Sequence, residues 1–548
     1  MKKHFIISAI LTFLLLQACE SDLLRKDEIL QKRDALETAS PNLLLSSIIQ
    51  KSAFLYYGMG GASSKTLATT VQYMQGNRSS DDNIFKSYER PKSDLYNFTG
   101  VIKLIQAGID DVHAKGLKNH EGIFLIFKSL MWSVVTDLYG DIYYTEGLKG
   151  QQGILFPKFD EQKNIYPALI EDLKKAVQLL GEGTDPIDKA YDIMYGGDKT
   201  KWIKFGNSLR LRLLVRASKN LPNAVSEIQA VSGLPLISDV AENASIPYLS
   251  GDRTFSFPMG SSYMTYTDNF LLMRPSKSLV DTLKALNDER LKVWCAPVQK
   301  PWTTSKDSLN ISGGTRNVTV KGYSYSYQWE YLDLSKPQIA AVAEFIVDPM
   351  TIYAGYTPGM YEDVLSANGS YEFPDTKWNY KISTFSKLLN ENSHNLLKAS
   401  IIQADEVYFL LAEGVVRGWI NSGSAETYYK KGVEMALKRW GEPLPANYFD
   451  NKAAKFPATG TANQKLAKIA LQKWLGLFLM GTEAYPDYRR TRLPLLETNG
   501  NLASGLFKFP LRFRYPETEF TNNAQNYQEA IAKLDKGDTE FSKMWLVQ

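Results

Sequence analysis

Apolar residues recur at helical spacing along much of this chain. In the clearest case, Ile165, Leu169, Leu173 and Val177 recur every four residues with charged residues between them. This pattern predicts an amphipathic helix over Ile165–Leu180. The same reasoning predicts helices over nine further segments: Asn42–Lys51, Asn97–Ala114, Glu121–Val135, Trp202–Ser218, Lys277–Leu286, Gln403–Trp419, Ser424–Trp440, Asn463–Met480 and Tyr527–Leu534.

The helical pattern is interrupted twice. Gly, Asn, Ser and Asp between Tyr73 and Pro91 predict a long loop. From about Leu234 to Pro374, Gly, Pro, Ser, Thr and aromatic residues dominate, apart from the helix at Lys277–Leu286. We therefore expect a loop-rich lobe with a few short strands in addition to a helical scaffold.

Two consecutive segments, Ala404–Gly414 and Ala425–Ala436, have the pattern of a helix–turn–helix repeat. Small residues such as Gly414 and Gly432 fall where two helices could approach closely, and aromatic residues lie between them. The pattern resembles a degenerate tetratricopeptide repeat. The predicted fold class is therefore mainly α, with a tetratricopeptide-like α-superhelical scaffold packed against the loop-rich lobe.

The N-terminal residues have the pattern of a bacterial lipoprotein signal. Two lysines precede an apolar stretch, Phe5–Leu16, that is too short to span a bilayer as a helix. A small residue and Cys19 follow, so we expect cleavage before Cys19 and lipidation of its thiol. The alternatives are an ordinary secretory signal that contains a cysteine and an internal start-anchor. The prediction assigns 1–18 to the signal peptide and 19–40 to a lipidated tether.

The remaining chain, 41–548, is predicted to form a single body. Its helical scaffold is expected mainly in 41–232 and 400–495, and its ligand lobe mainly in 233–399.

The charge balance and the cysteine content limit the partners and the disulfide bonds that this protein can have. The chain has 63 basic and 59 acidic residues and no long basic run, which argues against nucleic acid as a partner. Its only cysteines are Cys19 and Cys295. With Cys19 lipidated, Cys295 would have no disulfide partner; a Cys19–Cys295 disulfide is the alternative.

No catalytic signature is present. The histidines outside the signal lack metal-ligand spacing, and zinc, phosphate-loop, dinucleotide and nucleophile-elbow motifs are missing from the sequence. Asp137 and Asp141 lie where a helix runs into a glycine turn, so they can be interpreted as turn and cap residues. A pair of carboxylates for glycoside hydrolysis is the alternative. We predict no catalytic residue, no metal and no cofactor.

Aromatic residues supply the candidate binding chemistry. Tyr323–Tyr331 places five rings at alternate positions, which would all lie on one face of a strand. That face could pack on the core, or it could offer exposed rings that stack on a sugar. Under the second interpretation, the candidate ligand-binding residues of the two loop-rich regions are Tyr73, Asn77, Arg78, Asp81, Tyr88, Trp302, Tyr325, Tyr327, Trp329, Tyr356 and Tyr361.

Four segments together resemble the SusD/RagB family of Bacteroidetes outer-membrane lipoproteins, and in particular its SusD-like subgroup. They are Thr136–Glu146 followed by Phe156–Tyr166, then Asp192–Arg212, Glu406–Ala436, and Glu483–Pro494 with Phe509, Pro510, Tyr515, Pro516, Glu519 and Asn523 beyond it. The resemblance extends from about residue 40 to the C-terminus.

This resemblance implies a non-enzymatic protein that binds an oligosaccharide, or in some members a peptide. It implies lipid anchoring to the outer membrane at the cell surface, where the protein forms a lid over a SusC-like TonB-dependent transporter and passes it the ligand. Four tetratricopeptide-like helix pairs would form the scaffold. Asp141, Trp202, Asn207, Arg212 and Arg489 would take part in structural networks.

Overall fold

The computed structural model describes most of the chain beyond residue 39. The described residues are 40–57, 62–76, 85–89, 94–260, 273–304, 316–331, 351–356, 381–496 and 508–547, with the single residues 333, 335 and 358. The predicted signal peptide and the predicted tether up to residue 39, with Cys19, lie outside the described residues.

Fifteen α-helices dominate the described part of the chain, which confirms the mainly α fold class. Their bounds are α1 Pro41–Tyr57, α2 Ala62–Thr70, α3 Asp94–Ala114, α4 Lys118–Tyr139, α5 Gln162–Glu182, α6 Lys199–Ala217, α7 Ala224–Ser232, α8 Lys277–Leu286, α9 Arg290–Trp294, α10 Ala404–Val416, α11 Ala425–Arg439, α12 Ala462–Gly476, α13 Gly481–Thr491, α14 Glu517–Asn522 and α15 Ala524–Ile531.

Eight short strands pair only in twos within the described residues. They are β1 Met74–Gly76, β2 Ala244–Pro247, β3 Met273–Pro275, β4 Trp302–Thr303, β5 Arg316–Val320, β6 Tyr323–Tyr327, β7 Glu330–Tyr331 and β8 Lys398–Ile402. The antiparallel pairs are β1–β3, β2–β8 and β5–β6, and the parallel pair is β4–β7.

Consecutive helices pack side by side, as in tetratricopeptide-like scaffolds. Helices α3 to α6 each contact the next helix in the chain, and α10 packs against both α11 and α12. Helix α4 lies at the centre of the first group, with nearly every residue buried. By length and composition α4 could cross a membrane, but this burial is that of a core helix.

Each predicted helix is observed, with end points shifted by a few residues. The helix at Lys277–Leu286 agrees at both ends, and the side chain of Ser276 caps its N-terminus. The largest differences are at two C-terminal ends: α1 continues to Tyr57 beyond the predicted Lys51, and α12 ends at Gly476 before the predicted Met480. Five observed helices were not predicted: α2, α7, α9, α13 and α14.

Small residues do permit close helix packing in the predicted repeat. A Cβ added at Gly432 of α11 would lie 2.5 Å from Cε1 of Phe409, a fully buried residue of α10. A Cβ added at Gly414 would lie 2.5 Å from Cδ1 of Ile420. Gly432 therefore lets the two helices approach to a distance that a larger residue would prevent, whereas Gly414 gives room to the connection between them.

We expect Gly432→Val to lower the free energy of unfolding by about 1–3 kcal/mol, because the added methyl groups would overlap the Phe409 ring. The measurement is urea unfolding followed by circular dichroism. Gly100→Val is the matched control, since Gly100 is an exposed helical glycine of α3 with open space around it. Equal destabilisation of both variants would mean that helix propensity, and not packing, accounts for the effect.

The five residues that the resemblance assigns to structural networks all contact other parts of the protein, and Arg212 pairs with Glu406 at 2.6 Å. Asp141 accepts a hydrogen bond from the N–H of Gln162 (2.9 Å), Trp202 donates to Asp192 (2.9 Å), and Asn207 donates to the carbonyl of Pro235 (3.0 Å). Arg489 donates to the carbonyls of Asp137 and Leu511, both at 2.7 Å.

The interpretation of Asp137 as a turn or cap residue was wrong. Its carboxylate is buried, accepts a hydrogen bond from Tyr166 and pairs with Arg216 of α6. Arg216 also pairs with Glu483 of α13, so Asp137 belongs to an ion network that joins three helices.

Cys295 is free and fully buried at the end of α9. Desolvation raises the pKa of its thiol well above the ordinary value. A buried, protonated thiol of this kind acts as a small apolar core residue.

Candidate ligand-binding site

Three of the predicted ligand-binding residues belong to the core. Tyr73 and Tyr88 have no exposed surface and Tyr356 is 1% exposed. The Tyr73 hydroxyl donates to the carbonyl of Trp474 (2.6 Å), and the two rings stack with centroids 5.2 Å apart. Because these three tyrosines have no accessible face, they are not part of the site described below.

Four other predicted residues lie outside the described residues: Asn77, Arg78, Asp81 and Tyr361. Their assignment as ligand-binding residues stays a prediction.

The remaining predicted residues are Trp302 of β4 and three residues of Tyr323–Tyr331, which we call the aromatic segment. It begins as strand β6 of a hairpin with β5, whose turn residues Lys321 and Gly322 both have positive φ (50° and 83°). A two-residue turn of this kind matches the twist of the strands it joins. The strict alternation predicted for one strand applies only as far as Tyr327, where β6 ends.

Beyond Tyr327 the chain pairs with a different neighbour. The N–H of Gln328 donates to the carbonyl of Gln299 (2.9 Å), and that of Glu330 to the carbonyl of Pro301 (3.0 Å). These bonds lead into the parallel pair of β7 with β4, in which Trp302 lies opposite Glu330. The backbone on both sides of Trp329 is therefore fixed by hydrogen bonds.

Side-chain contacts attach the hairpin to the rest of the protein. The Tyr325 hydroxyl accepts a hydrogen bond from the N–H of Lys387 (2.9 Å), and Tyr323 donates to Glu391 (3.0 Å). At the turn, Lys321 donates to the carbonyl of Gly441 (3.0 Å), directly after α11. The hairpin is thus held against both the loop-rich region and the helical scaffold.

The rings of the aromatic segment differ in exposure. Tyr325 is 9% exposed and packs inward, as the core interpretation predicted, so it joins the three core tyrosines and is not part of the site. Tyr327 and Trp329 are half-buried, and their rings meet edge to face with centroids 6.2 Å apart and planes at 87°. Edge-to-face contact leaves part of each ring face uncovered by its partner, so both rings can contribute to a ligand surface.

Charged side chains that were not predicted surround Trp302. The ammonium group of Lys381 lies 3.4 Å from the centroid of the half-buried Trp302 ring. Lys381 also pairs with Glu330, which in turn contacts Lys300 (3.1 Å). Although partial burial opposes the effect, these two lysines hold the pKa of Glu330 below its ordinary value.

We define the ring site as Trp302, Tyr327 and Trp329 with the charged residues Lys300, Glu330 and Lys381. Lys381 covers one face of Trp302, which leaves Tyr327 and Trp329 as the principal candidates for stacking on a ligand. Glu330 accepts hydrogen bonds and the lysines donate them, so the ring site offers both acceptors and donors to a neutral polar ligand. The pairing of Lys381 with Trp302 has no local sequence signal, because the two residues are far apart in the chain.

The architecture defines a class of protein: a tetratricopeptide-like helical scaffold that carries a strand-containing region rich in aromatic residues. The sequence matches a SusD-like family over residues 33–516, and that family is described as starch-binding and associating with the outer membrane. The chain therefore belongs to this SusD-like family. No protein of curated function matches the sequence.

Solved structures show the same fold. A SusD homolog from Bacteroides fragilis has a TM-score of 0.72 and 20% sequence identity, and the match covers 93% of this chain and all of that one. A chitin-binding SusD homolog from Flavobacterium johnsoniae has a TM-score of 0.68 and 19% identity over 92% of this chain and 98% of that one. A SusD homolog from Bacteroides uniformis has a TM-score of 0.68 and 20% identity over 92% and 99%.

Proposed function

We propose that this protein captures an oligosaccharide at the cell surface and delivers it to a SusC-like TonB-dependent transporter, over which it acts as a lid. A lipid on Cys19 would hold it in the outer membrane, with residues 19–40 as the tether. Members of its family are described as associating with the outer membrane, which supports this location. A lipid anchor gives limited hold on a membrane, so a membrane-embedded partner would also help to retain the protein.

The ring site is the observation that carries the proposal. Tyr327 and Trp329 offer partly uncovered ring faces at a position fixed by backbone hydrogen bonds on both sides. Flat rings of this kind stack on the C–H faces of sugars while polar neighbours bind hydroxyl groups. The ring site lies within 233–399, the part of the chain that we assign to ligand binding.

A peptide is the alternative ligand, since aromatic rings and charged groups also suit peptide side chains. Catalysis is the third alternative, as a lipid-anchored glycoside hydrolase. Glycoside hydrolysis needs two carboxyl groups about 5–10 Å apart. At the ring site, Glu330 is engaged by two lysines, which favours an ionised carboxylate rather than the raised pKa of a general acid.

Calorimetric titration of the full-length protein in detergent with neutral oligosaccharides and with peptides tests this proposal. We expect saturable heat with at least one oligosaccharide, and recovery of that oligosaccharide unchanged by chromatography. Saturable binding of peptides alone would replace the sugar with a peptide. Release of shorter sugars would contradict a purely binding function.

A further inference from the structure

A cavity lies in the helical scaffold, where three helices end. Its volume is about 520 Å³, and it lies beside the C-terminal ends of α6, α10 and α13. The lining residues are Ser218, Lys219, Arg417, Trp419, Arg489, Arg490, Arg492, Leu511, Lys543, Leu546 and Val547. Six of these eleven residues are cations, and no lining residue carries a carboxylate side chain. We call this space the cationic cavity.

Part of the positive charge is balanced by nearby groups. Glu413 pairs with Arg417 (2.8 Å) and Arg490 (2.7 Å), and it also contacts Lys473 (3.3 Å). Asp487 pairs with both Arg490 and Lys473, at 2.8 Å each. The carboxylates of Glu413 and Asp487 are therefore shared among three cations, Arg417, Arg490 and Lys473.

The partial negative charges at the helix ends do not neutralise the remaining positive charge of the cationic cavity. The C-terminal end of a helix carries about half a negative charge, so three ends supply about one and a half. Arg489 is balanced in part by the buried carboxylate of Asp137, on which its charge acts. With Lys219 set aside, Arg492 and Lys543 remain in addition to the three cations paired with Glu413 and Asp487. The region is left with a net positive charge that an anionic ligand could neutralise.

Individual side chains support this conclusion. Arg489 is 4% exposed, and its Nε has no hydrogen-bond partner among the described residues. Arg492 lies over the ring of Phe509 (4.5 Å to the centroid), and desolvation, with the charge of Arg489, lowers its pKa. A buried guanidinium with an unused N–H donor is costly unless an acceptor is supplied.

The rest of the wall suits a small organic molecule. Trp419 is half-buried with Arg417 beside its ring (5.1 Å to the centroid), and Leu511 and Leu546 add apolar surface. The volume is within the range of small-molecule sites, which combine apolar walls with a few fixed polar groups. Arginine favours carboxylate, sulfate and phosphate groups because its planar fork can donate two parallel hydrogen bonds to them.

We propose that the cationic cavity binds a small molecule that carries at least two anionic oxygen groups. This site is formed by the scaffold and shares no residue with the ring site, so it does not depend on the proposed sugar-binding function.

Inorganic pyrophosphate and citrate are suitable probes, with maltotriose as the neutral comparison. The experiment is calorimetric titration of the full-length protein in detergent at constant ionic strength. We expect saturable binding of at least one of the two anions. In the double variant Arg417→Gln/Arg492→Gln we expect the dissociation constant to rise about tenfold or more, since two charge-assisted contacts are removed. Both arginines are exposed, and Lys543→Gln provides a second, single-site variant.

The matched control is Lys430→Gln/Lys431→Gln, which removes two positive charges from the exposed face of α11. We expect it to change the dissociation constant by less than about twofold. Equal weakening in both double variants would show general electrostatic attraction and would overturn the proposal. So would the failure of both anions to bind, or unchanged binding in Arg417→Gln/Arg492→Gln and in Lys543→Gln.

Discussion

Replacing Arg212 with methionine is expected to lower the free energy of unfolding by about 3–5 kcal/mol, the usual cost of removing one partner from a buried ion pair. Arg212 of α6 is 1% exposed. Its Nε and Nη2 donate to the two carboxylate oxygens of Glu406, both at 2.6 Å. Its Nη1 donates to the Tyr56 hydroxyl (3.0 Å), and its Nη2 also to the carbonyl of Ile401 (2.6 Å).

These contacts join parts of the scaffold that are distant in sequence. Glu406 belongs to α10, Tyr56 to α1 and Ile401 to β8. Glu483 of α13 lies 3.4 Å from Arg212 and pairs with Arg216, which pairs with Asp137 of α4. Methionine can fill much of the volume, but it leaves the Glu406 carboxylate buried without its hydrogen-bonded cation.

Urea unfolding of Arg212→Met at several pH values measures this effect. Burial already raises the pKa of Glu406 to about 7, against the opposing effect of Arg212. A carboxyl group with a raised pKa in the folded state stabilises the fold at low pH, and this contribution is lost as pH rises toward 7. Without Arg212 the pKa rises further, so we expect a larger loss of stability at pH 8 than at pH 5.5.

The double variant Arg212→Met/Glu406→Met is the control for this network. Because it removes both charges, we expect it to be more stable than Arg212→Met alone. A loss below about 1 kcal/mol for Arg212→Met, or simple additivity of the two substitutions, would contradict a strongly coupled buried pair.

The buried network also explains where sequence patterns failed to predict helices. Helix α13 was not predicted because its buried face carries Glu483 and Arg489 in place of apolar residues, and Pro486 lies within it. A search for apolar periodicity cannot detect a face made of paired charges. Helix α6 was predicted because leucines accompany its buried arginines. The fold class followed from periodicity, whereas the resemblance to a family was needed to place charged residues inside.

The ring site was predictable only in part. The alternation in the aromatic segment indicated a strand with rings on one face, and this holds for Tyr325 and Tyr327 of β6. The change of pairing partner after Tyr327 and the position of Lys381 over Trp302 depend on contacts between distant parts of the chain. Composition likewise could not separate Tyr73, a core residue, from Trp329, because burial is set by tertiary packing.

Trp329→Ala is expected to weaken binding of the captured oligosaccharide by about thirtyfold or more, which corresponds to about 2 kcal/mol, typical of a central aromatic contact. Trp329 is half-buried, and its ring contacts Tyr327 edge to face. Because hydrogen bonds of Gln328 and Glu330 hold the backbone on both sides, removing the ring leaves the segment in place. We therefore expect a large change in affinity and a change in melting temperature of only a few degrees.

Calorimetric titration with the oligosaccharide that binds best, combined with thermal unfolding, checks both expectations. Trp329→Phe keeps a flat ring and should retain most of the affinity. Trp419→Ala is the matched control, because it removes a half-buried tryptophan from the scaffold, outside the ring site. If Trp329→Ala instead lowers the melting temperature sharply and leaves the affinity unchanged, the aromatic segment is part of the core. In that case the sugar would have to bind at another surface, and the ring site would lose its role in the proposed function.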